Sequence, residues 1–145
     1  MAASISKHTI IYDSESFRVL KEVSHNLVVV IFEGIPTSEA YQEGINLLLE
    51  HSKKDNICKW ILDCKKGCAI SNDDQYWTSK VITHKIANEL NLQRIAVIEP
   101  NDSQDRVNLI TLAEMINKFT PIDIQFFEKE YNARSWLSTG CDFNI

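Results

Sequence analysis

Cys58, Cys64, Lys65, Lys66 and Cys68 fall within one short stretch of the chain. Thiolates are ligands for zinc and nucleophiles for redox and acyl-transfer chemistry. A zinc site pairs a Cys-x2–4-Cys motif with a second pair of Cys or His. Cys64 and Cys68 meet the first half of that pattern and no second half follows them, so no metal ligands are assigned. A thiol flanked by two lysines and a helix N-terminus would be depressed in pKa, so a reactive thiol at Cys64 or Cys68 is expected ahead of a metal. Lys65, Lys66 and Gly67 before a helix also suggest an anion site, but the glycine spacing of a phosphate loop is missing. Cys58 opens an apolar run and reads as core.

Carboxylates form a second set. In an open α/β sheet, ligands bind beyond the carboxyl ends of the strands. Glu33, Asp63, the 64–74 loop, Glu99, Asp102 and Glu128 should gather there. Such a cluster suits a hard cation, whereas acids at loop starts more simply cap helices. There is no G-x-S-x-G nucleophile elbow, and no catalytic residue is assigned. The third set is aromatic. Trp77 and His84 are two helical turns apart, on the side of Val81, and Trp60 stands on the strand before them. With Tyr76 they could line a pocket or an interface, because Trp and Tyr serve both.

The elements that must position these residues follow from periodicity. Strands are expected at 8–12 and 17–23, separated by the polar turn 13–16, and at 27–32, where an apolar Val-rich run suits a strand buried on both faces. Thr37 after Pro36 caps a helix to about residue 52, with Ala40, Tyr41, Ile45, Leu48 and Leu49 on one face. A strand at 58–63 leads to a helix from Ser71 or Asn72 to about Leu90, both caps having capping-box spacing. Ile82, Ile86 and Leu90 share one side of it, and Trp77, Val81 and His84 another. A strand at 94–99, a helix to about 118 with Leu109, Leu112, Ala113 and Ile116 inward, a strand at 122–127 and a helix at 132–138 complete the chain. Strands alternating with helices imply right-handed crossovers and a mostly parallel sheet, with the first two strands as an antiparallel edge.

Length and charge narrow the function. At 145 residues one domain with one core is expected, spanning 1–145 with its core at about 17–138. A net charge of −5 with no basic run longer than two residues argues against nucleic-acid binding. The opening Met-Ala-Ala-Ser-Ile-Ser-Lys-His has no signal-peptide core, and the apolar run 27–32 is too short to span a bilayer. A cytoplasmic protein is expected, with Cys58, Cys64, Cys68 and Cys141 reduced.

The Leu-Val-Val-Val-Ile-Phe-Glu-Gly strand at 27–34, the Trp-Ile-Leu-Asp strand end at 60–63 and the Asp74-Gln-Tyr-Trp77 helix opening carry a resemblance. So do Arg94-Ile-Ala-Val-Ile, the Phe126–Phe127 pair and Ala133-Arg-Ser-Trp-Leu137. Over roughly 17–138 the chain resembles the STAS-domain superfamily, typified by anti-anti-sigma factors and related in fold to lipid-binding CRAL-TRIO domains, and within it the small stand-alone bacterial members. The resemblance implies the same α/β fold. In the phosphorylatable members a serine follows the strand-ending Asp. Here Cys64 follows Asp63, so that phosphorylation switch is not expected.

The reading taken forward is a non-enzymatic regulatory or ligand-binding module. It would act through a protein partner, self-association or a small apolar or amphipathic ligand at Trp60, Asp63, Trp77, Val81 and His84, and no cofactor is assigned. The alternative is a small enzyme or reactive-thiol protein with its site at the strand carboxyl edge.

Overall fold

A run of alternating and fully apolar segments with helical stretches between them must bury strands on both faces, and the computed structural model shows how. It describes residues 8–139. The ends of the expected domain, and Cys141 with them, lie outside the described residues. Six strands form one sheet in sequence order: β1 (Thr9–Asp13), β2 (Phe17–Glu22), β3 (Leu27–Phe32), β4 (Lys59–Asp63), β5 (Arg94–Ile98) and β6 (Asp123–Phe127). β1, β2 and β3 pair antiparallel, and β3 to β6 pair parallel.

The crossovers are α1 (Ser38–Lys54), the composite helix between β4 and β5, and α4 (Ser103–Phe119). Each links neighbouring parallel strands in the same direction. Right-handed connections therefore put all three on one face. Tyr41, Ile45 and Leu48 of α1, Ile82 and Ile86 of the composite helix and Leu109 of α4 accordingly share a core with Val28, Val30, Trp60 and Val97. α5 (Glu130–Leu137) lies on the other face, where Ala133 and Leu137 pack with Leu27, Val29, Ile61, Ala96 and Ile98. β3 feeds both cores, as its unbroken apolar sequence requires.

Caps fix the helix starts. Thr37 accepts the amide of Ala40, Ser71 that of Asp74 and Asp102 that of Asp105, at 2.9–3.1 Å. Gly44 permits the close approach of α1 to β2: a methyl group there would overlap the Phe17 ring, itself 1% exposed.

The helix expected over 72–90 is interrupted. α2 (Asn72–Trp77) runs into a π-helical turn at Thr78–Ile82 and then α3 (Thr83–Glu89). A π-helical turn widens the helix by one residue and rotates everything after it. This is why Trp77, Val81 and His84 do not keep one side. Trp77 and Val81 are half-buried against the core, and His84 is exposed.

Candidate functional site

Strand register sorts the sheet residues. Val28, Trp60, Ile95 and Ile124 form one cross-strand row and Val30, Leu62, Val97 and Phe126 another, both on the face of the crossover helices. Ile31, Asp63, Ile98 and Phe127 form a row on the α5 face. Trp60 and Asp63 therefore stand on opposite faces, near opposite ends of β4. The five residues singled out from sequence separate accordingly. Trp60, Trp77 and Val81 join one core, Asp63 lies across the sheet, and His84 lies on the outer side of the composite helix.

Between the crossover helices and the sheet lies a cavity of about 80 Å3. Its floor includes Trp60, Leu62 and Val97, and its walls include Tyr41, Ile82, Ile86 and, from α4, Leu112, Ala113 and Ile116. The polar atoms at its edge are spoken for. Trp60 donates its indole N–H to Ser52 Oγ at 2.9 Å. Thr78 donates to the Asp74 carbonyl at 2.7 Å, which leaves its oxygen to accept from the Tyr41 hydroxyl, also at 2.7 Å. Burial raises the Tyr41 phenol well above its ordinary pKa, so it stays protonated. The buried Asp74 carboxylate is in turn held by Ser38 Oγ at 2.8 Å and Gln42 Nε2 at 3.0 Å, which ties α1 to the start of α2. The cavity presents carbon to whatever enters it.

On the far side of the same helices runs an open groove of about 380 Å3. Thr83, His84 and Asn88 line one wall, with Ser79 and Lys80 at one end, and Met115 and Phe119 of α4 form the other wall. Phe119 is 66% exposed. Thr83 is 2% exposed, and its hydroxyl has no hydrogen-bond partner.

At the carboxyl edge of the strands the charged groups are engaged with one another. Glu33 accepts from Arg18 at 2.7 Å and Lys66 at 3.1 Å, and these bonds hold its carboxyl below the ordinary pKa. Glu99 pairs with Arg106 at 3.3 Å. Asp63 accepts the Lys65 amide, Lys65 reaches the Glu128 carbonyl, and Asp102 caps α4. Among the described residues no group of three or more His, Cys, Asp or Glu is placed to hold a metal ion.

The chain matches no protein-family model and no curated protein. Among solved structures it is similar to an uncharacterised protein of the DUF3478 family from Shewanella loihica PV-4, which has a SpoIIAA-like fold. The two chains are 19% identical, the match covers 90% of this chain and 92% of the other, and the TM-score is 0.56. This chain has a SpoIIAA-like fold. That agrees with the STAS-like architecture expected from the strand ends and aromatic positions, and at this identity the likeness extends to the fold alone.

Within this SpoIIAA-like fold the loop after β4 departs from expectation. Cys64 and Cys68 are free thiols but buried. The hydrogen bond of Cys64 with Cys68 and its burial push the Cys64 thiol well above its ordinary pKa, the reverse of activation. The two lysines expected to activate it turn away to Glu128 and Glu33. Cys58 is disulfide-bonded, contrary to the expected set of reduced thiols.

Sequence reasoning placed Tyr41 on the inward face of α1 and singled out His84, but it missed Thr78, Thr83, Met115 and Phe119, and with them the groove and the polar edge of the cavity. One signal was present. Val81, Ile82 and Thr83 are three successive β-branched residues in mid-helix, a run that resists regular α-helical packing.

Proposed function

We propose that the protein is a non-enzymatic binding module that takes a small apolar ligand into the cavity beneath α4. One observation carries this reading: the cavity is walled by carbon, and the polar side chains at its edge satisfy one another. Apolar cavities of this kind stay dry and accept apolar guests. A guest larger than about 80 Å3 needs α4 to move. α4 is suited to that, because Leu109 is its only buried residue. The similar solved structure is of an uncharacterised protein, so the role rests on this chain's geometry.

The reading keeps the expectation of a cytoplasmic protein, supported by the free Cys64 and Cys68; the disulfide at Cys58 weighs against it. Among the described residues no helix is long and apolar enough to cross a membrane. A protein partner or second copy is the second reading. Val107 and Ile110, one turn apart and exposed on α4, favour that helix over the neighbourhood of Val81 for such a contact.

Methyl NMR spectra recorded under xenon pressure test the cavity. Saturable shifts at Ile82, Ile86 and Leu112, absent at Leu137 across the sheet, are expected. Methyl groups of the cavity that do not respond to xenon would remove the ligand reading and leave protein contact.

A further inference from the structure

The cavity and the groove are two sides of one seam. Thr78, Ile82 and Ile86 face the cavity, and their neighbours Ser79, Thr83 and Ala87 line the groove. On α4, Leu112 and Ile116 face inward while Met115 and Phe119 line the groove. The groove has an electrostatic character unlike that of the chain. The protein carries a net charge of −5, yet the groove lining includes Lys80 and His84 and no carboxylate. The Lys80 ammonium forms no ion pair among the described residues and lies 5.6 Å from the centre of the Tyr76 ring.

Thr83 supplies the second observation. A helical threonine ordinarily returns its hydroxyl to a carbonyl one turn back. Here the π-helical turn carries the Thr83 amide to the Thr78 carbonyl, and the hydroxyl, although 98% of the residue is buried, is left without a partner. An unsatisfied buried hydroxyl is a cost that a ligand atom can remove.

Resting on the cavity reading above, we propose that the ligand is a monomeric amphiphilic carboxylate. Its head lies in the groove against Lys80 and the Thr83 hydroxyl, and its chain passes through the seam between α3 and α4 into the cavity. Displacement of α4 opens that seam and joins the two volumes. The single lysine in the groove suits one carboxylate and is far short of the basic cluster that an anionic membrane surface requires.

The test is an NMR titration with octanoate, and with octanol as the same chain without charge. Octanoate is expected to bind about tenfold more tightly than octanol, the worth of one charge-assisted contact. It should shift amides of both Thr83 and Ile86. Lys80→Gln should erase most of that advantage, and Thr83→Val should weaken octanoate binding. Thr83→Val removes only the orphan hydroxyl, so the fold is retained, and Lys80 is exposed. Equal affinity for octanoate and octanol overturns the headgroup assignment. So does an octanoate advantage that survives both variants, or binding seen only on vesicles of anionic phospholipid. If xenon enters the cavity while octanoate shows no advantage, only the carboxylate proposal falls. If xenon does not enter and octanoate shifts the groove alone, the cavity reading falls with it.

Discussion

The two faces of the sheet are built on different terms. The face of α1, α3 and α4 carries the larger core, three crossover helices and a cavity. Among the described residues the other face is covered by α5, and its core contains two alanines, Ala96 and Ala133, with no exposed surface. Small side chains let α5 sit close to the strands, and charge fastens it. The Arg134 guanidinium donates two bonds to the buried Glu22 carboxylate, at 3.0 and 2.8 Å. On the thin face, close packing and one bidentate ion pair do what three helices do loosely on the thick face. Both faces leave space, but of different character: the carbon-walled cavity lies under the three helices, whereas a pocket of about 220 Å3 beside α5 is edged by His25, Lys59 and Arg134.

The sharpest way to break this comparison is to make one substitution on both faces. Ala133→Leu forces three extra carbons into a filled layer and should destabilise by about 3 kcal/mol. Ala113→Leu places the same carbons toward the cavity and should stabilise by about 1 kcal/mol while blocking xenon. Denaturant melts of both variants decide the matter, and changes of the same sign would mean that the faces are packed alike.

Next in size is the ion pair. Arg134→Met leaves the Glu22 carboxylate buried with His25, at 3.3 Å, as its remaining ion-pair partner among the described residues. A fully buried pair broken on one side loses more. With the Arg134 side chain 36% exposed, about 2 kcal/mol is expected. The sign with pH follows from Glu22, whose carboxyl is held below its ordinary value of 4.5, chiefly by the Arg134 hydrogen bonds. The pair's contribution is complete above that ordinary value and is lost as pH falls through the lower, folded-state value. Stability measured from pH 7 down to pH 3 should therefore fall more steeply for the parent than for Arg134→Met. Parallel curves would show that the pair contributes nothing.

The smallest effect concerns the loop between β4 and α2. Cys64 and Cys68 should alkylate in native protein no faster than the chain unfolds, since both are buried and the Cys64 thiol is raised in pKa. Mass-spectrometric labelling that found Cys64 modified within seconds at pH 7.5 would restore the reactive-thiol alternative.

Much of this protein follows from local sequence. The polar turn 13–16, the apolar run 27–32 and the caps at Thr37, Ser71 and Asp102 define elements without reference to the rest of the chain, because periodicity and orphan amides are local properties. The inward row of α4, Leu109 to Ile116, is likewise found against the sheet, since it is a stripe on one helix. The α/β order followed in turn, because parallel strands need crossovers of one hand.

Tertiary structure alone decided where the chemistry stands. Asp63 and Trp60, three residues apart, are divided by the pleat of β4. Lys65 and Lys66 look like thiol activators in sequence, yet they turn to a carbonyl and a carboxylate supplied from distant parts of the chain. The π-helical turn separates His84 from Trp77 and strands the Thr83 hydroxyl, a one-residue shift that periodicity averages away. Periodicity identifies the helix faces, but the distances between helices are set by side chains from several elements packed at once, so the cavity beneath α4 exists only in the folded chain.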